Sequence, residues 1–298
     1  MRWMRWVVVA PAGMWALVRI AGWDSWYPAV QLIAFTPYVA VLSLIPWGLT
    51  VLWRRWDAVI AAGVITVLLT VCVLPRGLED SDPLAGAKGR ELKVLTVNIL
   101  FGHADFGRVL ELSTQADVVM VQELVPAFAE KLEPHFPYHV KGGEVGIYSR
   151  LTLKGHEFRP NPMMFGQITA ELPGANVMLQ SVHTVAPSEQ SRVEPWLESF
   201  RRQQRAEPDG PMWILAGDFN ATLDHAVMRN LVRSGYRDAA AVVGKGWTGT
   251  WGPYDGDNIP PVTLDRVLAD RRIGIKDVEI FEVPGSDHRA VLVTLVLP

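Results

Sequence analysis

Cysteine is nearly absent from these 298 residues. Cys72 stands alone, so no disulfide can form within the chain, and cysteine usage leaves the redox compartment open. Nothing downstream of it can hold a metal through thiolates. Charge is missing from residues 28–53 and 58–74, which contain no Asp, Glu, Lys or Arg. A basic surplus is missing too. Of 28 Lys/Arg and 31 Asp/Glu, 8 and 5 precede residue 91, leaving 20 and 26 and a net charge of −6 in residues 91–298. There is no internal repeat and no low-complexity tract.

The N-terminal part offers hydrophobic length. A bilayer core takes about 20 apolar residues, and residues 28–53 exceed that without a charge. Residues 58–74 form a second uncharged run, and residues 6–23 a third apolar stretch whose one charge, Arg19, lies near its far end. An arginine so placed can snorkel to the headgroups. The alternative for residues 6–23 is a cleaved signal peptide, but the two runs that follow favour three membrane spans. Tryptophans 3, 6, 23, 26, 47, 53 and 56 fall near the span ends, as an interfacial belt requires. Arg2 and Arg5 precede the first span and Arg54-Arg55 joins the second to the third. Basic loops face the cytoplasm. The expectation is a multi-pass cell-membrane protein with a cytoplasmic N-terminus and residues beyond 74 outside.

Residues 75–90 (PRGLEDSDPLAGAKGR) are rich in Pro, Gly and charge and read as a linker. Residues 91–298 then alternate strand and helix patterns. Strands are expected at 92–100, 117–122, 145–149, 152–158, 167–172, 176–182, from Met212, and at 262–268, 278–283 and 290–297. Helices are expected at 106–113, from 188 to about 205, and from Asp224. The four strands between 145 and 182, separated by short turns, read as antiparallel neighbours.

Polar residues interrupt these apolar runs at their ends. In Gly217-Asp218-Phe219-Asn220, after the run Met212–Ala216, a carboxylate and an amide two residues apart in extended chain would share one side. A turn or helix cap uses the same residue types. Asn98 sits inside V-L-T-V-N-I-L, Glu123 closes V-V-M-V-Q-E, and His183 ends Q-S-V-H-T. Asp265 lies in V-T-L-D-R-V-L with Arg266 beside it as a salt-bridge partner, and Asp287-His288 precede the last strand. Buried carboxylates need a partner or a metal.

In order, T-x-N, Q-E, G-I-Y-S-R, H-T, G-D-F-N, L-D-R-V-L and S-D-H-R-A-V resemble the endonuclease/exonuclease/phosphatase superfamily over residues 91–298. The resemblance implies an α/β fold, a four-layer sandwich of two mixed sheets, here preceded by three transmembrane helices. It gives Glu123 the place of principal ligand of a catalytic Mg²⁺ or Mn²⁺, with Asn98 and Asp287 nearby. Asp218 takes that of the residue orienting or deprotonating the attacking water. Asn98, Asn220 and His183 would contact phosphate oxygens, and His288, oriented by Asp265, would stand beside the phosphoryl group. The family often has isoleucine where Leu264 precedes Asp265. No equivalent of the extra tyrosine of some family nucleases is found, so Tyr148 is unassigned.

Oxygen donors select a hard cation, and phosphoester hydrolysis asks mainly for positioning and charge neutralisation. The acidic balance of residues 91–298 disfavours long nucleic acid, though Arg201, Arg202 and Arg205 form a local basic patch. Trp247 and Trp251 in the Gly-rich loop could form an exposed rim touching lipid or pack beneath the loop. Three spans ahead of an outward domain also resemble the teicoplanin-resistance proteins of actinomycetes. That resemblance implies Mg²⁺-dependent hydrolysis of a lipid-linked pyrophosphate such as undecaprenyl pyrophosphate in cell-wall carrier recycling, and through it glycopeptide resistance. The competing readings are an exported metal-dependent nuclease, a phospholipid or sphingomyelin phosphodiesterase, and a catalytically silent binding domain.

Overall fold

A computed structural model describes residues 3–80, 82–86, 88–252 and 258–298. In chain order its strands are β1 (Arg90–Asn98), β2 (Val118–Gln122), β3 (Tyr138–Gly142), β4 (Val145–Ser149), β5 (Lys154–Pro160), β6 (Gly166–Leu172), β7 (Val177–His183), β8 (Met212–Asp218), β9 (Tyr236–Asp238), β10 (Asp265–Asp270), β11 (Gly274–Glu282) and β12 (Arg289–Leu297). They form two mixed six-stranded sheets, ordered β11-β12-β1-β2-β4-β3 and β5-β6-β7-β8-β10-β9.

Alternation along each strand explains why the sequence reads as unbroken apolar runs. Leu92 and Val94 of β1 point between the sheets, where they meet Val118, Met120, Ile168, Leu179, Ile214 and Val267. Leu95 and Val97 point the other way, onto Val109 and Leu112 of helix Phe106–Ser113 and Phe128 and Leu132 of helix Pro126–Leu132. Across the second sheet, Val182, Leu215 and Leu268 pack on Trp196 of helix Gln190–Arg201 and Met228 and Leu231 of helix Ala226–Arg233. Both faces of the central strands of each sheet are therefore dry, giving four layers: helices, sheet, sheet, helices. Each buried Val, Leu or Ile stabilises this arrangement by roughly 1.5–3 kcal/mol.

The expected run of four antiparallel neighbours between 145 and 182 is divided. β4 pairs with β2 and β3, while β5, β6 and β7 pair in the other sheet. Residues 150–153 carry the chain from one sheet to the other, a crossing that alternation alone does not encode.

Among the described residues, three helical stretches are long and apolar enough to cross a membrane: Met4–Ala21, Ala29–Leu52 and Trp56–Gly77. The middle one is segmented into helices Ala29–Leu32, Thr36–Leu42 and Leu44–Leu52, with Pro37 in the first turn of the second. Val41, Leu42, Leu44, Ile45, Leu52, Ile60, Val67 and Val71 are all exposed, a surface that water does not suit. Arg5 pairs with Asp57 at 2.8 Å, so the chain start and the Arg54-Arg55 turn share one end of the bundle. Arg2 lies outside the described residues.

The opposite end meets the α/β domain. Arg19, expected to reach headgroups, instead pairs with Asp224 at 2.7 Å, and Arg76 pairs with the same carboxylate at 2.7 Å. Asp24 accepts from Ala226 N at 2.6 Å, capping a helix of the domain from the loop after the first apolar helix. Trp247 Nε1 donates to Val73 O at 2.7 Å and Tyr38 OH to Pro261 O at 2.7 Å. Residues read as linker are also tied down: Asp80 N donates to Val242 O, and the Asp82 carboxylate accepts from Ile275 N and pairs with Arg237.

Candidate active site

Strand register brings three of the expected residues into one row. His183 stands opposite Asp218 in the parallel β7–β8 pair, and Asp265 opposite Asp218 in the antiparallel β10–β8 pair. From the other sheet, Asn98 ends β1, Glu123 follows β2, and Asp287-His288 precede β12. Gly217 makes the row possible. Its φ is 151°, and a Cβ there would collide with the Val182 carbonyl of the neighbouring strand.

Hydrogen bonds knit the two sheets together at this point. Asn98 Nδ2 donates to Glu123 Oε1 at 3.0 Å and to Asp218 Oδ2 at 3.3 Å, while Asn98 Oδ1 accepts from Leu100 N. Asn220 N donates to Asp218 Oδ1 at 2.8 Å, and Asn220 Nδ2 to Thr184 O at 3.0 Å and Asp218 Oδ2 at 3.4 Å. Asp218 and Asn220 thus meet, but not through the extended backbone expected. Asn220 is left-handed, with φ 45°, and so is Glu123, with φ 55°. Such backbone is uncommon outside glycine and concentrates at functional sites.

His288 Nδ1 donates to Asp265 Oδ2 at 2.8 Å, which leaves Nε2 at 3.8 Å from both Asp218 Oδ2 and Asp287 Oδ1. Arg266, the alternative partner of Asp265, turns away to Asp238 at 2.7 Å. His183 Nε2 lies 3.6 Å from Asp218 and 3.8 Å from Glu123, with its ring stacked on Phe165 at 3.7 Å. Trp251 Nε1 donates to Asp287 Oδ2 at 3.0 Å.

Burial separates the two histidines electrostatically. For His288, burial alone would lower the pKa, but the carboxylates of Asp265, Asp218 and Asp287 outweigh it and push the imidazole up to about 10. Burial, reinforced by the positive charge of His288, pushes His183 down to about 3. One imidazole is thus held cationic and the other neutral. Burial also raises the carboxyls of Glu123 and Asp218, the latter to about 7 against the opposing pull of His288.

The donors fit a hard divalent cation. Glu123 Oε2, Asp265 Oδ1 and Asp287 Oδ1 are buried without a hydrogen-bond partner among the described residues, and four carboxylates here face one imidazolium. Ligand atoms of Asp218, Asp265 and His288, one from each, lie within 4.8 Å of one another, while the His288–Asp265 hydrogen bond engages Nδ1 and Oδ2. Glu123 and Asp287 keep oxygens for an ion, and Asn98 keeps a lone pair on an oxygen already engaged by Leu100.

Glu123, His183, Asp218, Asn220, Asp287 and His288 line a cavity of about 520 Å³ whose other wall was not legible in the sequence. Val30, Gln31, Ala34 and Phe35, at the start of the second apolar stretch, face Glu123, Asp218, Asn220 and His288 across it. His225 Nε2 donates to Val30 O at 2.6 Å and Gln31 Nε2 to Ser188 O at 3.3 Å, fixing this wall. Phe101, Phe165 and Arg192 complete the rim, and Arg192 is the one Lys or Arg among the described lining residues. Only the positive φ of Phe101 and Phe165, 48° and 64°, marks them, and that is a structural signal.

The fold is shared with solved structures. An endonuclease/exonuclease/phosphatase from Beutenbergia cavernae is similar, with TM-score 0.57 and 18% identity, covering 70% of this chain and 72% of that one. D. rerio TDP2 complexed with a single-strand DNA product gives TM-score 0.54 and 20% identity over 69% of this chain and 98% of its own. Sphingomyelinase C from Streptomyces griseocarneus gives TM-score 0.50 and 15% identity over 69% and 99%. No curated protein matches the sequence. The profile of the Endonuclease/Exonuclease/phosphatase family, whose enzymes hydrolyse phosphoester bonds and generally depend on a divalent metal ion, matches residues 95–288, from within β1 to His288, and the chain belongs to that family.

Proposed function

We propose that this protein is a membrane-anchored phosphohydrolase acting on a lipid-linked pyrophosphate such as undecaprenyl pyrophosphate, with Mg²⁺ or Mn²⁺ held by Glu123 and Asp287 and braced by Asn98. One observation carries the reading: the catalytic cleft has an apolar wall made by the start of the second apolar stretch, Val30 to Phe35. A phosphoryl group bound between that wall and Glu123 would lie at the membrane surface, and an attached hydrocarbon chain would find an apolar exit. The bound ion would neutralise charge on the phosphoryl oxygens.

The chain's own residues do the remaining work. Asp218, held by Asn98 and the Asn220 backbone, orients the attacking water and draws on its proton. His288, held in one tautomer by Asp265, presents a cationic Nε2–H to the phosphoryl group. Neutral His183 and the Asn220 amide contact phosphate oxygens, Asn220 exchanging its long bond to Asp218 for the ligand. Arg192 stands at the rim for the second phosphate.

A nuclease is disfavoured because Arg201 and Arg202, of the basic patch read from the sequence, are ion-paired to Glu194 and Glu198. The similarity to a sphingomyelinase keeps a phospholipid phosphodiesterase as the second reading. Release of phosphate from undecaprenyl pyrophosphate in detergent micelles should exceed both plasmid DNA cleavage and sphingomyelin hydrolysis under the same metal conditions. Rapid DNA cleavage without release from the lipid would overturn the proposal. The orientation has its own check: in intact cells an impermeant thiol reagent should label Ser191→Cys, and labelling only after lysis would invert the topology.

A further inference from the structure

A second cavity, of about 340 Å³, lies between the apolar helices and the α/β domain. That is within the roughly 300–1,000 Å³ of small-molecule sites. Its wall is apolar: Val41, Leu44, Val73 and Leu74 come from the helices and Trp247 from the domain. It adjoins the catalytic cleft, because Ala34 and Val262 line both. Val41 and Leu44 are also among the exposed residues of the helices, so the wall of the cavity includes side chains on the face that would meet lipid tails.

The terminal guanidinium nitrogens at its floor are already committed, which leaves the buried Nε of Arg76 and of Arg266 without a partner among the described residues. Arg76 donates to both oxygens of Asp224, at 2.8 and 2.7 Å, and Arg266 donates to Asp238 at 2.7 Å and to Thr263 O at 2.9 Å. A free anion would have to compete with these carboxylates, whereas a hydrocarbon chain needs only the wall. Two interdomain hydrogen bonds, Trp247 to Val73 O and Tyr38 to Pro261 O, hold the two sides at fixed spacing.

We infer that this cavity is the tail subsite: it receives the first part of the isoprenoid chain of a lipid whose pyrophosphate occupies the cleft, and releases the rest of the chain into the bilayer between Val41 and Leu44. The inference rests on the proposed function for the identity of the headgroup. It adds a selection by chain, since only a substrate long enough to pass Ala34 and Val262 gains the contact.

The test uses the full chain in detergent micelles and two variants that fill the cavity from different helices, Ala40→Phe and Thr70→Phe. Displacing two buried methylenes corresponds to about a tenfold loss of affinity. KM for undecaprenyl pyrophosphate should therefore rise about tenfold in either variant, while KM for isopentenyl pyrophosphate, too short to reach the cavity, should stay within about twofold. Equal changes for both substrates, or none in either folded variant, overturn the subsite. A benzophenone-bearing isoprenoid phosphate gives a readout independent of turnover. Crosslinks concentrated at residues 37–44 and 70–74, and lost in the variants, support it; crosslinks spread over the outer faces of all three helices mean bulk lipid contact and overturn it. Should the wild type hydrolyse neither pyrophosphate, the functional reading falls and the crosslinks still decide the cavity.

Discussion

The molecule buries charge in two places and treats it in opposite ways. At the seam between the apolar helices and the domain, Arg19 and Arg76 converge on Asp224, and both oxygens of that carboxylate are taken. In the cleft, Glu123, Asp218, Asp265 and Asp287 surround one cationic imidazole, and three carboxylate oxygens have no partner among the described residues. The Asp224 carboxylate of the seam is fully engaged. The cleft is left short of positive charge, and a cluster of that kind is stable only with a protonated acid or a bound cation. Buried charge therefore does not by itself mark a site; the unpartnered remainder does.

Breaking the cleft should have the largest effect. Glu123→Ala or Asp218→Ala should lower hydrolysis by about a thousandfold, or ~4 kcal/mol of transition-state stabilisation. Thermal unfolding in metal-free buffer should be unchanged or shifted upward, because each variant removes one of four crowded carboxylates. Added Mg²⁺ or Mn²⁺ should raise the midpoint of the wild type, by about 2.7 kcal/mol of stability at a hundred times Kd, and leave Glu123→Ala unmoved. Undiminished hydrolysis by both variants would remove the family mechanism from this chain.

At the seam the signs should reverse. Asp224→Asn leaves two buried guanidinium groups with one weakened acceptor, and breaking a buried pair costs about 3 kcal/mol or more. Unfolding in detergent should shift downward by that amount, while turnover per folded molecule in the cold stays within a few-fold. A large loss of turnover with an unmoved midpoint would mean that Asp224 belongs to the chemistry and that the two clusters are one.

The cleft was legible before the structure because its residues break apolar runs at strand ends, where both faces of each strand are buried. Glu123 after V-V-M-V-Q and Asp218 after W-I-L-A-G are conspicuous for that reason. β3 was not legible: Tyr138–Gly142 is an edge strand with largely exposed side chains and no apolar alternation. Nor were β9, at three residues, and helix Pro126–Leu132, at seven, both shorter than the windows in which periodicity is read. The apolar wall was invisible for a different reason. Val30 to Phe35 sit inside a stretch whose composition says only membrane, and their approach to Asp218 depends on contacts across more than half the chain, such as His225 to Val30 O. Arg19 likewise reads as a snorkelling residue until Asp224 is seen beside it.

The smallest expected effect separates the two treatments of a carboxylate by pH. Burial works to raise Asp82, but the hydrogen bonds from Arg237, Ile275 N and Leu84 N outweigh it and hold its carboxyl below the usual 3.8, whereas burial raises Glu123 despite its bond from Asn98. Asp82 therefore behaves as the seam does, with each oxygen engaged. A carboxyl whose folded pKa is depressed releases its proton more readily when folded. Its contribution is full above the unfolded value near 3.8 and disappears as pH falls through the lower folded value. Asp82→Asn removes that contribution along with the charged bond to Arg237, which hydrogen bonding to a charged group puts at ~1.5–3 kcal/mol, less for a surface-facing arginine. The midpoint difference between wild type and Asp82→Asn should accordingly be constant from neutral pH down to about pH 4 and shrink below it. A difference that grows as the pH falls toward 4 and then levels off would give Asp82 a raised carboxyl and place it with the open cluster instead.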